Sequence, residues 1–356
     1  MRNFRQKSIW TLMVLLFCSF SATAGTIYVA EESARALNAY DEATGQFRGT
    51  LISPTGPVNP IGIPYGMITT PDGHLFVADA GGHEVFVFKG NQLIQTIGIP
   101  QSDLTIDPQG VALGPDGNLV ITNFNGNIIS LSFANGYDSA YTNALLYSSV
   151  PAARAGVLFG PDGSLYISTS PNGSAIYKVP PGGGTAVNFA HSYLPYPFGN
   201  SRGLAWLPDG TLLVADAGWE GTGLIYKVNV SDGSMTPFIT NLGGADYIAV
   251  LPADGEILVA EFSANKVSKY NFQGEFLENF LTGLSQPGVL AYSEQDFNGA
   301  PEPSTWLLLL VPVGMLLLRR SRKNWLMPQP AAALWPVLLA VRPRRKHKPE
   351  GNCLPL

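Results

Sequence analysis

The chain has 356 residues, 46% of them hydrophobic and 11% aromatic, enough to bury a sizeable core, so a disordered chain or a small disulfide scaffold is excluded. Charged residues are only 13%, while Gly (39) and Pro (28) are frequent, which favours short strands and many turns over long solvated helices. Setting aside the twelve bases and one acid of residues 1–24 and 319–356 leaves 9 bases against 25 acids, a net charge of −16 over residues 25–318 that repels phosphate backbones and argues against a nucleic-acid partner.

Residues 1–24 read as a secretory signal. Arg2, Arg5 and Lys7 precede an apolar stretch from Ile9 to Phe20, and Ala22-Thr23-Ala24 supplies a small-x-small cleavage site, so the mature chain is expected to begin near Gly25. Cys18 lies within the apolar stretch and Cys353 near the C-terminus, with none between, so the expected folded body holds no disulfide and no thiol chemistry.

From there the sequence repeats. Asp-Gly turns recur at Asp72-Gly73, Asp116-Gly117, Asp162-Gly163, Asp209-Gly210 and Asp254-Gly255, spaced by 44, 46, 47 and 45 residues. Each follows a short apolar run opening at or just after a Gly, as in Gly66-Met67-Ile68 or Gly203-Leu204-Ala205, and precedes another, as in Leu75-Phe76-Val77-Ala78. A third and a weaker fourth strand complete each unit, such as Glu84 to Phe88 and Gln92 to Ile97. Four short strands per ~45 residues is the pattern of a β-propeller blade. Thr26 to Ala30 matches the second strand of a blade whose first strand is missing at the N-terminus, and Gly288 to Tyr292 supplies it from the other end. The expectation is therefore an all-β, six-bladed β-propeller over residues 25–299, closed by a C-terminal strand that removes the open edges.

The wording Gly-[Val/Leu]-Ala-x-x-Pro-Asp-Gly-x-Leu-x-Val-Ala-Asp, best kept at residues 66–80 and 202–217, resembles the NHL propeller repeat and, more distantly, the regucalcin/gluconolactonase propellers. The first resemblance implies a fold rather than an activity. The second implies a metal held by Glu, Asn and Asp near the starts of first strands. Those starts here are Tyr65, Gln109, Ala155, Arg202, Asp246 and Pro287, of which only Asp246 suits a metal.

In such a blade the loops before strand one and after strand two share one face, the usual ligand mouth. The residues just after strand two align as Glu31, Asp79, Asn123, Thr169, Asp216 and Glu261. They either cap their own turns or form an acidic mouth in which Asp79, Asp216 and Glu261 hold calcium. The loop from His191 to Arg202 carries Tyr193, Tyr196 and Phe198, and Trp219 lies in the turn expected beside it. These aromatics either cover a seam between blades or stack on a sugar or peptide, with Arg202 reaching for a carboxylate. Ligand contact is expected at Tyr65, Arg202, Asp246, Tyr193, Tyr196 and Trp219. Neither a Gly-x-Ser-x-Gly motif nor converging histidines point to a nucleophile or zinc.

Near the C-terminus Pro301-Glu302-Pro303 is followed by an apolar run from Thr305 to Leu318 and then Arg319, Arg320, Arg322 and Lys323. This order resembles the PEP-CTERM sorting signal, which implies recognition by an exosortase in the membrane and passage toward the cell surface or matrix. As a helix the apolar run spans only ~21 Å, short of the ~30 Å hydrocarbon core. Residues 300–323 are thus a sorting and membrane segment, and residues 324–356 a Pro-rich basic extension beyond the point where such signals end. The function expected is an exported, non-catalytic propeller binding a glycan or protein partner at the envelope or matrix. A secreted lactonase, hydrolase or lyase with a calcium-assisted mouth is the alternative, and a purely structural coat role is a third reading.

Overall fold

The computed structural model describes residues 25–56, 62, 64–80, 82–98, 107–151, 156–169, 174–191, 200–218 and 222–297. The signal segment, Tyr193, Tyr196, Trp219, the Pro301-Glu302-Pro303 motif and the extension lie outside them. The described residues are all-β. Blade 1 holds β1 (Thr26–Glu31), β2 (Ala36–Asp41) and β3 (Phe47–Ile52), and blade 2 holds β4 (Pro64–Thr69), β5 (His74–Asp79), β6 (Glu84–Lys89) and β7 (Gln92–Gly98). Blade 3 follows with β8 (Pro108–Leu113), β9 (Leu119–Asn123), β10 (Asn127–Ser132) and β11 (Asn143–Ser149), and blade 4 with β12 (Val157–Phe159), β13 (Leu165–Thr169), β14 (Ala175–Val179) and β15 (Val187–His191). Blade 5 has β16 (Ser201–Trp206), β17 (Leu212–Asp216), β18 (Thr222–Val228) and β19 (Met235–Gly243). Blade 6 has β20 (Ala245–Leu251), β21 (Glu256–Glu261), β22 (Lys266–Asn271) and β23 (Phe276–Thr282). The last strand, β24 (Pro287–Ser293), pairs antiparallel with β1 and completes blade 1 as its innermost strand.

The six innermost strands touch in the closed order β24, β4, β8, β12, β16, β20 and back to β24, so the body is a six-bladed propeller. Burial falls from the centre outward. In β5 every residue is buried, because strand two is covered on both faces by neighbouring blades, whereas β7 at the rim is mostly exposed. A strand covered on both faces reads as a continuous apolar run, which is why Leu75-Phe76-Val77-Ala78 and its counterparts stand out in the sequence.

The Asp-Gly turns join strands one and two on the face opposite the mouth. In blade 2 the Gly73 N–H donates to Thr70 O at 3.0 Å and Thr70 N–H to His74 O at 2.9 Å, with Gly73 at φ 87°. That is a type I turn followed by a left-handed residue, the three-residue hairpin that demands Gly at its third position. Blades 3, 4 and 5 repeat it at Gly117, Gly163 and Gly210. The Asp carboxylates secure the turn: Asp116, Asp162 and Asp209 accept the backbone N–H of Asn118, Ser164 and Thr211 at 3.1, 3.0 and 2.9 Å. On the same face His74, buried in blade 2, bridges to blade 3 with Nε2 2.8 Å from Asp138 and Nδ1 3.0 Å from Asp72. The imidazole holds the Asp138 carboxyl below the ordinary carboxylate range against partial burial, and at Asp72, where burial pushes up, the Thr70 hydroxyl and then the imidazole bring the carboxyl below it.

Candidate functional site

At the mouth, strand one carries an extra residue. In blade 2 Pro64 pairs with Asp79 and Gly66 with Ala78, so Tyr65 is the extra residue between two ladder pairs. Blade 3 does the same at Gln109 and blade 6 at Asp246, and in blade 5 the extra residue falls at Arg202-Gly203. In blade 1 it is Gly288, between Pro287 and Val289. These are β-bulges, which bend a strand and re-aim the side chain of the inserted residue. The bulged set contains Tyr65, Arg202 and Asp246, all expected from sequence to meet a ligand. It also corrects one equivalence: the blade 1 counterpart of Arg202 is Gly288, not Pro287, because the bulge shifts the count by one.

The glycines of the repeat explain how bulged strands fit around a narrow channel. A Cβ on Gly66 would lie 2.5 Å from Gly110 Cα, and one on Gly203 2.7 Å from Tyr247 Cα. One on Gly156 would lie 1.8 Å from Arg202 O. Neighbouring inner strands approach through these positions with no room for a side chain.

Three consecutive blades meet at Arg202. Its Nε lies 3.3 Å from Asp246 Oδ1 and its Nη1 3.3 Å from Asp246 Oδ2, with Glu32 Oε1 at 3.9 Å from the same Nη1. Glu32 reaches this place because Gly288 has no side chain: a Cβ there would lie 2.5 Å from Glu32 Oε1. Asp246 is 4% exposed, Glu32 12% and Arg202 19%, so one guanidinium is held between two carboxylates with a net charge of −1. Arg202 and Asp246 are therefore brought together, and Glu32, unnoticed in the sequence, joins them.

The aligned column after strand two is buried in all six blades. In four of them the carboxylate accepts a backbone N–H from the segment just before strand one of its blade, which for Glu261 is the last residue of β19. Gly62 N–H donates to Asp79 at 3.5 Å, Asn200 N–H to Asp216 at 2.9 Å, Gly243 N–H to Glu261 at 2.8 Å and Ser285 N–H to Glu31 at 2.7 Å. Where the column is not acidic it donates instead, Asn123 Nδ2 to Asn127 O and Thr169 Oγ1 to Ala175 O, both at 3.1 Å. Glu261 also meets Lys266 Nζ at 3.2 Å. Asp79 and Asp216 each tie down the entry to their own blade, Glu261 ties the end of β19 to blade 6, and the three are not drawn together. Among the described residues no group of three or more His, Cys, Asp or Glu side chains is placed to hold a metal ion.

Blade 3 departs from this economy. Gln109 Nε2 donates to Asp107 at 3.1 Å, but Gln109 Oε1 and Asn123 Oδ1 are buried acceptors with no hydrogen-bond partner among the described residues. Beside them Phe124, whose N–H donates to Asp107 O at 3.0 Å, leaves its side chain 48% exposed on the mouth face. The exposed ring is a surface for a ligand that offers C–H faces, while the two acceptors are buried with their residues, Gln109 at 2% and Asn123 at 0% exposure. The signal in the sequence is slight: Phe124 follows the aligned column where Ala80, Ala217 and Phe262 stand in other blades.

No protein-family model matches the chain, and no curated protein matches it. Solved structures share its fold. A chain of the nidogen/laminin complex aligns with a TM-score of 0.59 at 13% identity over 76% of this chain and 98% of that one. A streptogramin B lyase aligns at 0.53 and 15% identity over 77% and 88%. The calcium-binding protein regucalcin from Agrobacterium tumefaciens aligns at 0.51 and 17% identity over 65% and 79%. At these identities the likeness establishes the six-bladed propeller and no activity: the ring is shared by a lyase, a regucalcin and a chain of the nidogen/laminin complex.

Proposed function

We propose that this protein is an exported, non-catalytic propeller whose mouth binds a neutral glycan at the cell envelope or matrix. The observation that carries the reading is the exposed Phe124 ring on the mouth face of blade 3. A sugar ring presents a C–H face to an aromatic side chain. The rest of the mouth suits a scaffold for that contact, since the carboxylates after strand two hold the entry loops rather than a ligand. Arg202 already has Asp246 as its carboxylate, so an acidic ligand gains little there, and a net-negative triad favours a neutral one. A solved structure of the same fold belongs to the nidogen/laminin complex, which is compatible with a ring that serves in an assembly. Delivery rests on the two ends of the sequence. The signal at residues 1–24 opens the export route, and Pro301-Glu302-Pro303 with the apolar run addresses the chain to exosortase-type machinery, which tethers it to the membrane or releases it outside.

The test is a screen of the purified protein against a panel of labelled neutral and acidic oligosaccharides. A neutral binder is expected, and Phe124→Ala should weaken it by about 10-fold, the loss of roughly 1.4 kcal/mol of ring contact. Asp116→Ala, at the opposite face, should lower stability by about 1 kcal/mol through its lost turn bond and leave affinity unchanged. Equal affinity of Phe124→Ala and the unaltered protein, or binding lost in Asp116→Ala while it still melts normally, would place the ligand elsewhere.

A further inference from the structure

In blade 1 the corner opposite the mouth has no hairpin, because β24 and β1 come from opposite ends of the body. Gly25 stands at that corner and is buried. Its backbone N donates to Glu42 Oε2 at 2.9 Å, and its carbonyl accepts from Glu42 N at 3.1 Å. A Cβ at this position would lie 2.4 Å from Glu42 Oε2, 2.6 Å from the Tyr292 ring and 2.7 Å from Ser293 O, so glycine alone fits.

The charges around it are of one sign. Asp254, from the blade 6 turn, acts on Glu42, and the Tyr292 hydroxyl hydrogen-bonds to it, with Glu294 adding further negative charge beside Tyr292. Among the described residues no Lys, Arg or His forms an ion pair with Glu42, Asp254 or Glu294. Burial pushes the Glu42 carboxyl above its ordinary range, and Asp254 adds to the rise. Burial and the Glu42 charge push the Tyr292 phenol up as well. A buried acidic corner with no cation is costly, and the backbone nitrogen of Gly25 points into it.

We propose that hydrolysis of the Ala24–Gly25 bond completes this corner, the new α-ammonium of Gly25 becoming the counter-ion of Glu42 and Asp254 and fastening β1 against β24. The inference rests on the export reading. Water is the co-reactant: the Ala24 carbonyl takes its hydroxyl and leaves as a carboxylate, and the Gly25 nitrogen takes up protons to become –NH3+. Removal of the leader and locking of the ring closure are then one event, and the folded body is most stable only after processing.

The pH dependence has opposite signs in the two forms. Uncleaved, the folded chain prefers Glu42 protonated, so its stability rises as pH falls from neutral through the raised value toward the unfolded value of about 4.5. Cleaved, the ammonium next to Glu42 has its own pKa raised above the usual ~8, so its contribution is complete below about pH 8 and is lost as pH climbs through the raised value.

The experiment uses the full chain with residues 1–24 replaced by a removable tag whose protease leaves Gly25 first. Tag removal should raise the melting temperature by on the order of 3 °C at pH 7, with the gain gone well above pH 10 and absent in Glu42→Gln. No gain at pH 7, or an equal gain in Glu42→Gln, overturns the proposal. Should Glu42→Gln fail to fold, the α-amine pKa read by pH-dependent reductive methylation decides: a value above about 8 supports the docked ammonium and one at or below it refutes it. N-terminal sequencing of the chain exported with its own leader separates the two layers. A start at Gly25 is expected, and any other start refutes the maturation step even if the tagged chain shows the gain.

Discussion

A chain ended after Leu284 loses its cooperative melting transition. Such a chain lacks β24, whose six ladder pairings hold β1, and β1 is buried at all six of its positions. Val289 and Leu290, 1% and 2% exposed, leave the core with it, about 3 to 6 kcal/mol of apolar burial before any hydrogen bond is counted. A total stability of about 5 to 15 kcal/mol does not absorb that loss together with an opened ring and a newly exposed strand edge. Calorimetry and near-ultraviolet circular dichroism of the truncated and full chains provide the comparison. An unchanged transition would mean that the ring does not depend on the strand that closes it.

Arg202→Ala should destabilise the protein by about 3 kcal/mol, because it strands the Asp246 carboxylate at 4% exposure without its cation. Asp246→Ala should cost clearly less, since Arg202 is 19% exposed and has Glu32 Oε1 3.9 Å away to turn toward. Replacing both, as Arg202→Met with Asp246→Leu, should restore most of the loss, since a buried pair and a well-packed apolar pair of similar volume are near equal. Urea unfolding with a constant slope measures all three. If Arg202→Ala melts like the unaltered protein but loses glycan binding, the guanidinium serves the ligand rather than the frame.

The blade count and the closing strand were legible because each rests on strong local rules. A type I turn with a left-handed third residue needs Gly after Asp, and a strand covered on both faces needs an unbroken apolar run, so both repeat visibly every ~45 residues. The bulges were not legible, because one extra residue at the end of a six-residue strand leaves the apolar period almost untouched. That is why Pro287 rather than Gly288 looked equivalent to Arg202. The repeat glycines were visible as Gly66 and Gly203, but their reason, a neighbouring inner strand at contact distance, lies 44 residues away in sequence at Gly110 and Tyr247. The column from Glu31 to Glu261 was found as a column, yet residue type alone does not tell whether a carboxylate faces a ligand or its own loop. Glu32 escaped notice because its partner Arg202 is four blades distant along the chain. Tyr193, Tyr196 and Trp219 fall outside the described residues.

The bulged residue has a freedom its neighbours lack. A ladder position that is exchanged must still pair, pack and keep its face, whereas a bulged residue is released from the first of these demands. Tyr65, Gln109, Arg202, Asp246 and Gly288 are thus an aromatic, an amide, a cation, an anion and no side chain at all, in five repeats of one backbone frame. Tyr65 and Gln109 can therefore vary with the ladder left intact, whereas Arg202, Asp246 and Gly288 meet one another through the ion pair and Glu32 and must change together.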